Sequence, residues 1–190
     1  MFDFQIRHAT QHDFAAIIRF VQAMLSEMYA LNTHAPPDYT EAWLDFESRI
    51  VQTLRCEDDG AARYLCAANH LLEIAETIGG DAAPIGLIDA SILPPAAIFR
   101  PARTLHIHAL YVLPTCRRRG VGAALLRATI DWGQEHQCLR AQLSVLPHNP
   151  ARRLYQALGF TAFGLEMRKE LARVNASLFV QMVDFSPCGE

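Results

Sequence analysis

The chain has no excess of positive charge. Its 190 residues carry 17 Lys and Arg against 20 Asp and Glu, a formal net charge of −3, so no global basic field argues for nucleic acid as a partner. It has no Lys/Arg-rich tail or basic amphipathic helix, which argues against binding at a membrane surface. No apolar run reaches the ~18 residues that span a bilayer. The first residues, Met1-Phe2-Asp3-Phe4-Gln5-Ile6-Arg7, lack the basic and apolar regions of a signal peptide. Cysteine is sparse: Cys56, Cys66, Cys116, Cys138 and Cys188 are dispersed without a C-x-x-C pair, a pattern expected of reduced thiols in a cytoplasmic protein rather than of a disulfide framework or a zinc site. Repeats and low-complexity tracts are missing too. What remains is 51% apolar and 19% charged, enough for one ordinary domain over 1–190 with its own core, as a monomer or homodimer.

Periodicity sets the expected elements. Phe2, Phe4 and Ile6 alternate with Asp3, Gln5 and Arg7 as a half-buried strand. Thr10 and Asp13 resemble a capping box before a helical stripe of Phe14, Ile17, Ile18, Val21 and Leu25. Pro36-Pro37-Asp38 separates it from a second helix marked by Trp43, Phe46, Ile50 and Leu54; Cys56–Gly60 reads as a turn, and Ala61–Asn69 fit either a helix extension or the start of a strand. Leu71–Ile78 and Ile85–Leu93 read as a hairpin around Gly79-Gly80-Asp81. Pro94–Pro101 is a loop, and Thr104–Val112 a strand. Val121, Leu125, Ala128 and Trp132 then keep helical spacing, and Leu139, Ala141, Leu143 and Val145 alternate as a strand. Asn149-Pro150 offers an N-cap and a first-turn proline, with Gly159 as the stop. Phe160–Lys169 and Ser177–Val183 are the last strand candidates. The order β-α-α-β-β-β-α-β-α-β-β implies a mixed α/β fold with one sheet of about seven strands.

Between a strand and a helix stands Arg117-Arg118-Arg119-Gly120-Val121-Gly122-Ala123. Glycines admit an anion close to the backbone, the helix N-terminus offers free N–H groups, and arginines add charge for phosphate. A tight turn with a solvated basic flank is the competing reading. A dinucleotide fingerprint is excluded because Leu125 occupies its third small-residue position, and a P-loop because Ala123-Ala124 replaces Lys-Ser/Thr.

Leu110-Tyr111-Val112-Leu113-Pro114-x-x-Arg117-x-x-Gly120-x-Gly122-Ala123 resembles the acetyl-CoA signature of the GNAT superfamily of N-acetyltransferases, and Asn149-Pro150…Leu154-Tyr155-Gln156-Ala157-Leu158-Gly159-Phe160 resembles its second signature. The resemblance implies a mostly antiparallel sheet with helices on both faces, splayed between its fourth and fifth strands. It implies acetyl-CoA as co-substrate, with no metal. The pyrophosphate would sit on the amides of Arg118, Arg119, Gly120, Val121, Gly122 and Ala123, with Arg117 and Asn149 among the cofactor-binding residues. The pantetheine arm would pair with main-chain groups of Leu110, Tyr111 and Val112.

Leu105-His106-Ile107-His108-Ala109-Leu110 places two histidines on one face of a strand, just before the expected cofactor edge. An amine nucleophile arrives protonated, and a group titrating near neutrality suits its deprotonation. Packing residues, a hydrogen-bonded structural pair, and a zinc pair lacking a third ligand are the alternatives. The segment is similar to the Leu-His-Leu-His-Ala-Leu of arylalkylamine (serotonin) N-acetyltransferases. That resemblance implies His106 and His108 as the deprotonating pair and Tyr155 as the acid towards the CoA thiolate. Tyr155 could equally anchor its helix to the sheet. His8, His12, His34, His70, His136 and His148 show no pattern and read as surface or packing residues. Cys116 has no evident base beside it, so direct transfer is expected over a covalent route. The expected acceptor is a small primary amine, an arylalkylamine first. A polyamine, an aminoglycoside or a protein N-terminus is the alternative, as is a non-catalytic CoA-binding sensor.

Overall fold

A computed structural model describes residues 2–31, 69–79, 82–93 and 103–164. The chain forms two compact units, Met1–Phe160 and Thr161–Glu190. Of the second, residues 161–164 are described and carry no helix or strand. The first contains β1 (Phe4–His8), a 3₁₀ turn (Gln11–Asp13), α1 (Phe14–Leu31), β2 (His70–Thr77), β3 (Pro84–Leu93), β4 (Arg103–Val112), a second 3₁₀ turn (Pro114–Cys116), α2 (Val121–Glu135), β5 (Cys138–Leu143) and α3 (Arg152–Ala157). The expected helix around Trp43–Leu54 and the Ser177–Val183 strand lie outside the described residues. The Phe160–Lys169 strand is irregular over 160–164, and its remainder lies outside as well.

The strands form one mixed sheet in the order β1-β2-β3-β4-β5. Neighbours from β1 to β4 are antiparallel, and β5 runs parallel to β4. A parallel pair needs a crossover, which α2 supplies. Helices cover both faces. Ile17, Phe20 and Val21 of α1 pack with Leu72, Ile74, Leu87, Ala109 and Tyr111. Val121, Leu125 and Leu126 of α2 pack with Leu71, Ala75, Ile85, Ile88, Ala90, Leu105 and Ile107. Each of the Leu, Ile, Val and Phe side chains among them, fully buried, contributes about 1.5–3 kcal/mol.

The start of α1 is held by charge. Thr10 N–H donates to Asp13 Oδ2 at 2.8 Å, while Arg7 donates to both Asp13 oxygens at 2.7 and 2.9 Å and, through Nε, to Glu76 at 2.8 Å. Burial alone would raise the Asp13 carboxyl, but the Arg7 and Thr10 hydrogen bonds outweigh it and hold it below the usual carboxylate range. The same arginine therefore ties β1, the 3₁₀ turn that leads into α1, and β2 together.

Three register shifts depart from simple alternation, the first leaving Ile85 extra on β3, where Ala75 pairs with Gly86 and Glu76 with Pro84. Asp89 faces Ala109 while Ala90 faces Ile107, which leaves His108 as an extra residue on β4. Leu105 and Ile107 consequently face α2, whereas Ala109 and Tyr111 face α1. On β5, Cys138 pairs with Arg103 and Arg140 with Thr104, so Leu139 is extra. Leu139, expected on the buried face with Ala141 and Leu143, is instead 78% exposed. Val145 lies beyond the end of that strand.

Candidate active site

The site gathers where β4 outruns its neighbour. β5 pairs with β4 from Arg103 to the last pair, Ile107↔Leu143, and β4 continues through His108 to Val112. This is the position of the expected splay. Leu110 and Val112 lie in the extended stretch and are half-buried, and Tyr111 is buried against α1. The Val112 carbonyl accepts from Arg117 Nε at 2.8 Å.

The turn that follows divides its arginines. Arg117 does not point along the turn: its guanidinium donates to both oxygens of Glu27 on α1, at 2.6 and 2.9 Å, and lies 5.4 Å from the centroid of the Tyr111 ring. Arg119 stacks over Phe2 at 4.6 Å. Arg118 is exposed and adopts a left-handed φ of 63°. Gly120 caps α2 with φ 88°, a conformation that disfavours a side chain, and a Cβ there would meet nothing within 4 Å. The backbone is thus bare and open where an anion would approach a helix N-terminus, which fits a pyrophosphate. Val121 is buried, so only its backbone can face a ligand. Gly122 serves packing: a Cβ would lie 3.3 Å from Leu154 Cδ2 and 3.7 Å from Val112 Cγ2, bringing α3 against the start of α2. Ala123 is half-buried in the first turn of α2.

Asn149 is the side-chain cap of the next turn. Its Oδ1 accepts from Ala151 N–H at 2.8 Å and its carbonyl from Arg152 N–H at 3.1 Å, although regular helix begins only at Arg152. Gly159, φ 88°, closes α3 with Phe160 N–H to Tyr155 O and Gly159 N–H to Gln156 O, both at 3.0 Å, a Schellman stop at the expected residue. On α3, Tyr155 packs with the α2-side cluster, edge-on to Phe160 at 6.1 Å. Burial raises its phenol above the ordinary tyrosine value, so it keeps its proton throughout the neutral range.

The two histidines are together, with ring centroids 4.6 Å apart. They belong to a polar row that sequence reasoning missed. His70, Ser91, His106 and Gln142 are direct cross-strand partners on β2, β3, β4 and β5. Gln142 Nε2 lies 3.1 Å from His106 Nδ1, and Ser91 Oγ lies 2.7 Å from His108 Nε2. His70, expected to be a mere packing or surface residue, bonds through Nε2 to the fully buried Asp89 at 2.6 Å. By strand alternation the row faces α1, since Ala90, Leu105 and Ile107 face α2. Ser91 and Gln142 were visible only as polar residues in alternating strands; their meeting depends on register. Among the described residues no group of three or more His, Cys, Asp or Glu could hold a metal ion, and no helix is long and apolar enough to cross a membrane. A shallow hollow between α2 and β5, lined by residues including Leu105, Gly133 and Cys138, contains none of these groups.

The model of the acetyltransferase (GNAT) family matches residues 26–160, from α1 through the turn to the end of α3. The chain belongs to this family. As a GNAT protein it is an acetyl-CoA-dependent N-acetyltransferase, with acetyl-CoA as co-substrate. It is 29% identical over 126 residues, 57% of its length and 80% of the relative's, to an aminoglycoside N(6')-acetyltransferase type 1 of Klebsiella aerogenes. Its fold is similar to that of the aminoglycoside N-acetyltransferase AAC(6')-Iy in complex with CoA, with a TM-score of 0.62, 20% identity, and 90% and 96% of the two chains covered. It is also similar to glucosamine-6-phosphate N-acetyltransferase from Arabidopsis thaliana, with a TM-score of 0.56, 14% identity, and 89% and 99% covered.

Proposed function

We propose that this acetyltransferase acts directly on a primary amine of a small molecule, with an aminoglycoside-type amine as the leading acceptor. The observation that carries the mechanism is the paired imidazoles of His106 and His108, 4.6 Å apart at the point where β5 stops pairing with β4. The 29% identity to an aminoglycoside N(6')-acetyltransferase supports the acceptor class. The backbone of Arg118 to Ala123 holds the pyrophosphate, with Asn149 shaping the neighbouring turn. Main-chain groups of Leu110, Tyr111 and Val112 orient the pantetheine arm along the open strand. Acetyl-CoA supplies an activated acetyl group and leaves as a thiolate. The histidine pair removes the proton from the arriving ammonium, so that the nitrogen lone pair is exposed. Tyr155, kept protonated by burial, donates its proton to the departing sulfur. Arg117 contributes by fixing the turn against α1 rather than by touching phosphate.

An arylalkylamine acceptor is the second reading, favoured by the Leu105–Leu110 segment alone. One assay separates the two: acetyl transfer from acetyl-CoA to a panel of aminoglycosides, polyamines and arylalkylamines, ranked by kcat/KM. Preference for aminoglycosides supports the leading reading, and preference for arylalkylamines replaces it. Tight CoA binding with no transfer to any amine, or to a protein N-terminus, makes the chain a sensor instead.

A further inference from the structure

We propose that Gly122 is a positioning residue for Tyr155: the space left by its missing side chain seats α3, and with it the acid, against the start of α2. The inference rests on the reading of Tyr155 as the acid towards the CoA thiolate, and it says what aims that hydroxyl. Gly122 lies inside α2 and is not among the glycines with a positive φ. Backbone freedom is therefore not what this position uses. Glycine is a poor helix former, so the chain gives up helix propensity here and gains room. The room has an occupant. A Cβ on Gly122 would lie 3.3 Å from Leu154 Cδ2, closer than an ordinary carbon–carbon contact, and 3.7 Å from Val112 Cγ2. Val112 is held by its pairing with Gly86 and by Arg117 on its carbonyl. A side chain added at position 122 would therefore displace Leu154 rather than the strand.

Displacing Leu154 displaces Tyr155, the next residue, which packs with the same cluster. α3 has six residues and no fully buried side chain, so few contacts set its pose. The Asn149 cap and the Gly159 stop fix its two ends, and Leu154 in the notch joins its middle to α2. Gly120 is the contrast, since a Cβ there would meet nothing within 4 Å. The two glycines of the turn thus have different tasks: Gly120 leaves backbone open to the anion, and Gly122 seats the acid. The start of α2 becomes a common reference for the cofactor's phosphates and for the hydroxyl that meets its sulfur. In that step the carbon–sulfur bond breaks, its electron pair stays on sulfur, and the Tyr155 proton passes to the sulfur. A misplacement of about 1 Å in such a geometry can cost about 10²-fold in rate.

The test is a mutant cycle on the full chain with three readouts: kcat on the preferred amine of the panel, acetyl-CoA affinity by calorimetric titration, and the ring signals of Tyr155 in ¹³C-tyrosine-labelled protein, assigned with Tyr155→Phe. Gly122→Val should lower kcat about tenfold or more and move the Tyr155 signals, with acetyl-CoA affinity little changed. Gly122→Ala, which asks Leu154 to give by a few tenths of an ångström, should show the same pattern in smaller measure. Leu154→Ala removes as many carbons as Gly122→Val adds, so the double variant should recover the signals and most of kcat. On a Tyr155→Phe background Gly122→Val should lower kcat little further, because the hydroxyl it misplaces is gone. Unmoved signals and full kcat in a folded Gly122→Val protein overturn the proposal. So does a kcat loss of the same size with and without the Tyr155 hydroxyl, or a loss of acetyl-CoA affinity that matches the loss of kcat. Should Gly122→Val not fold, Gly122→Ala and its double with Tyr155→Phe decide by the same criteria. The ring signals need no turnover. Full kcat in Tyr155→Phe would sink the reading of Tyr155 as the acid, while those signals still decide whether Gly122 seats it.

Discussion

The two faces of the sheet follow opposite chemistry. On the α2 side, Leu71, Ala75, Ile85, Ile88, Ala90, Leu105 and Ile107 meet an apolar helix. Among these residues stands Glu73, a buried carboxylate whose Oε2 has no hydrogen-bond partner among the described residues. On the α1 side the same strands present His70, Asp89, Ser91, His106 and His108, linked in pairs. Strand alternation lets one set of strands supply both, but the bulge at His108 reassigns the faces midway along β4. The α2 face is thus almost wholly apolar, whereas the α1 face combines an apolar core of its own, around Ile17, Leu72, Ile74 and Leu87, with groups that can carry protons.

Substitutions should sort by face. The largest effect belongs to the polar row: His106→Gln with His108→Gln should lower kcat/KM by about 10²- to 10⁴-fold, the span of general acid–base catalysis, at a nearly unchanged Tm. A double variant with an undiminished rate would remove the α1 face from the chemistry. Tyr155 tests the division from the other side, since it packs with the α2 cluster yet is assigned a proton. Tyr155→Phe keeps the ring, so it should hold its Tm and acetyl-CoA affinity while kcat drops roughly 10- to 10³-fold. Full kcat with a lower Tm would make it a packing residue. Leu125, fully buried, should behave as pure α2 face: Leu125→Ala should cost about 2–5 kcal/mol in urea unfolding with kcat/KM kept per folded molecule.

Smaller effects sharpen the boundary. Gly120→Ala forces a side chain into a left-handed backbone, at a cost of roughly 1–2 kcal/mol, and should weaken acetyl-CoA binding in a calorimetric titration. Unchanged affinity would remove the turn from the cofactor site. Glu73→Met should stabilise by about 1 kcal/mol at pH 7 by removing an unsatisfied buried group. Burial raises the Glu73 carboxyl above its ordinary value, with His8 offsetting only part of it. The folded chain thus holds this proton more tightly than the unfolded one, and wild type loses stability as pH climbs above the ordinary carboxylate range. The gain from Met should grow from pH 4 to pH 8 in paired urea titrations; a gain that is flat with pH would mean the carboxyl titrates alike in the folded and unfolded chain.

Local signals were legible before any coordinates. The hairpin around Gly79, the helix from Val121, the Asn149 cap and the Gly159 stop each depend on residues close in sequence, where spacing and turn chemistry suffice. The adjacency of His106 and His108 was readable for the same reason. What stayed hidden was register. Nothing near Leu139 announces that it is the extra residue of a bulge, and nothing near Gln142 announces His106 as its partner 36 positions away. The row from His70 to Gln142 spans four strands, and no pattern within one strand encodes it. The contact of Arg117 with Glu27 was hidden for a related reason, because its partner lies 90 positions earlier on α1.

That last contact has a mechanical consequence. One Arg117 guanidinium nitrogen donating to both oxygens of Glu27, braced by the Val112 carbonyl and the Tyr111 ring, links α1 and the turn at Arg117 as a strut. Neither end can swing out without breaking that link. In hydrogen–deuterium exchange the amides after Arg117 and those around Glu27 should open together, as one cooperative unit, and Glu27→Gln should let them open separately.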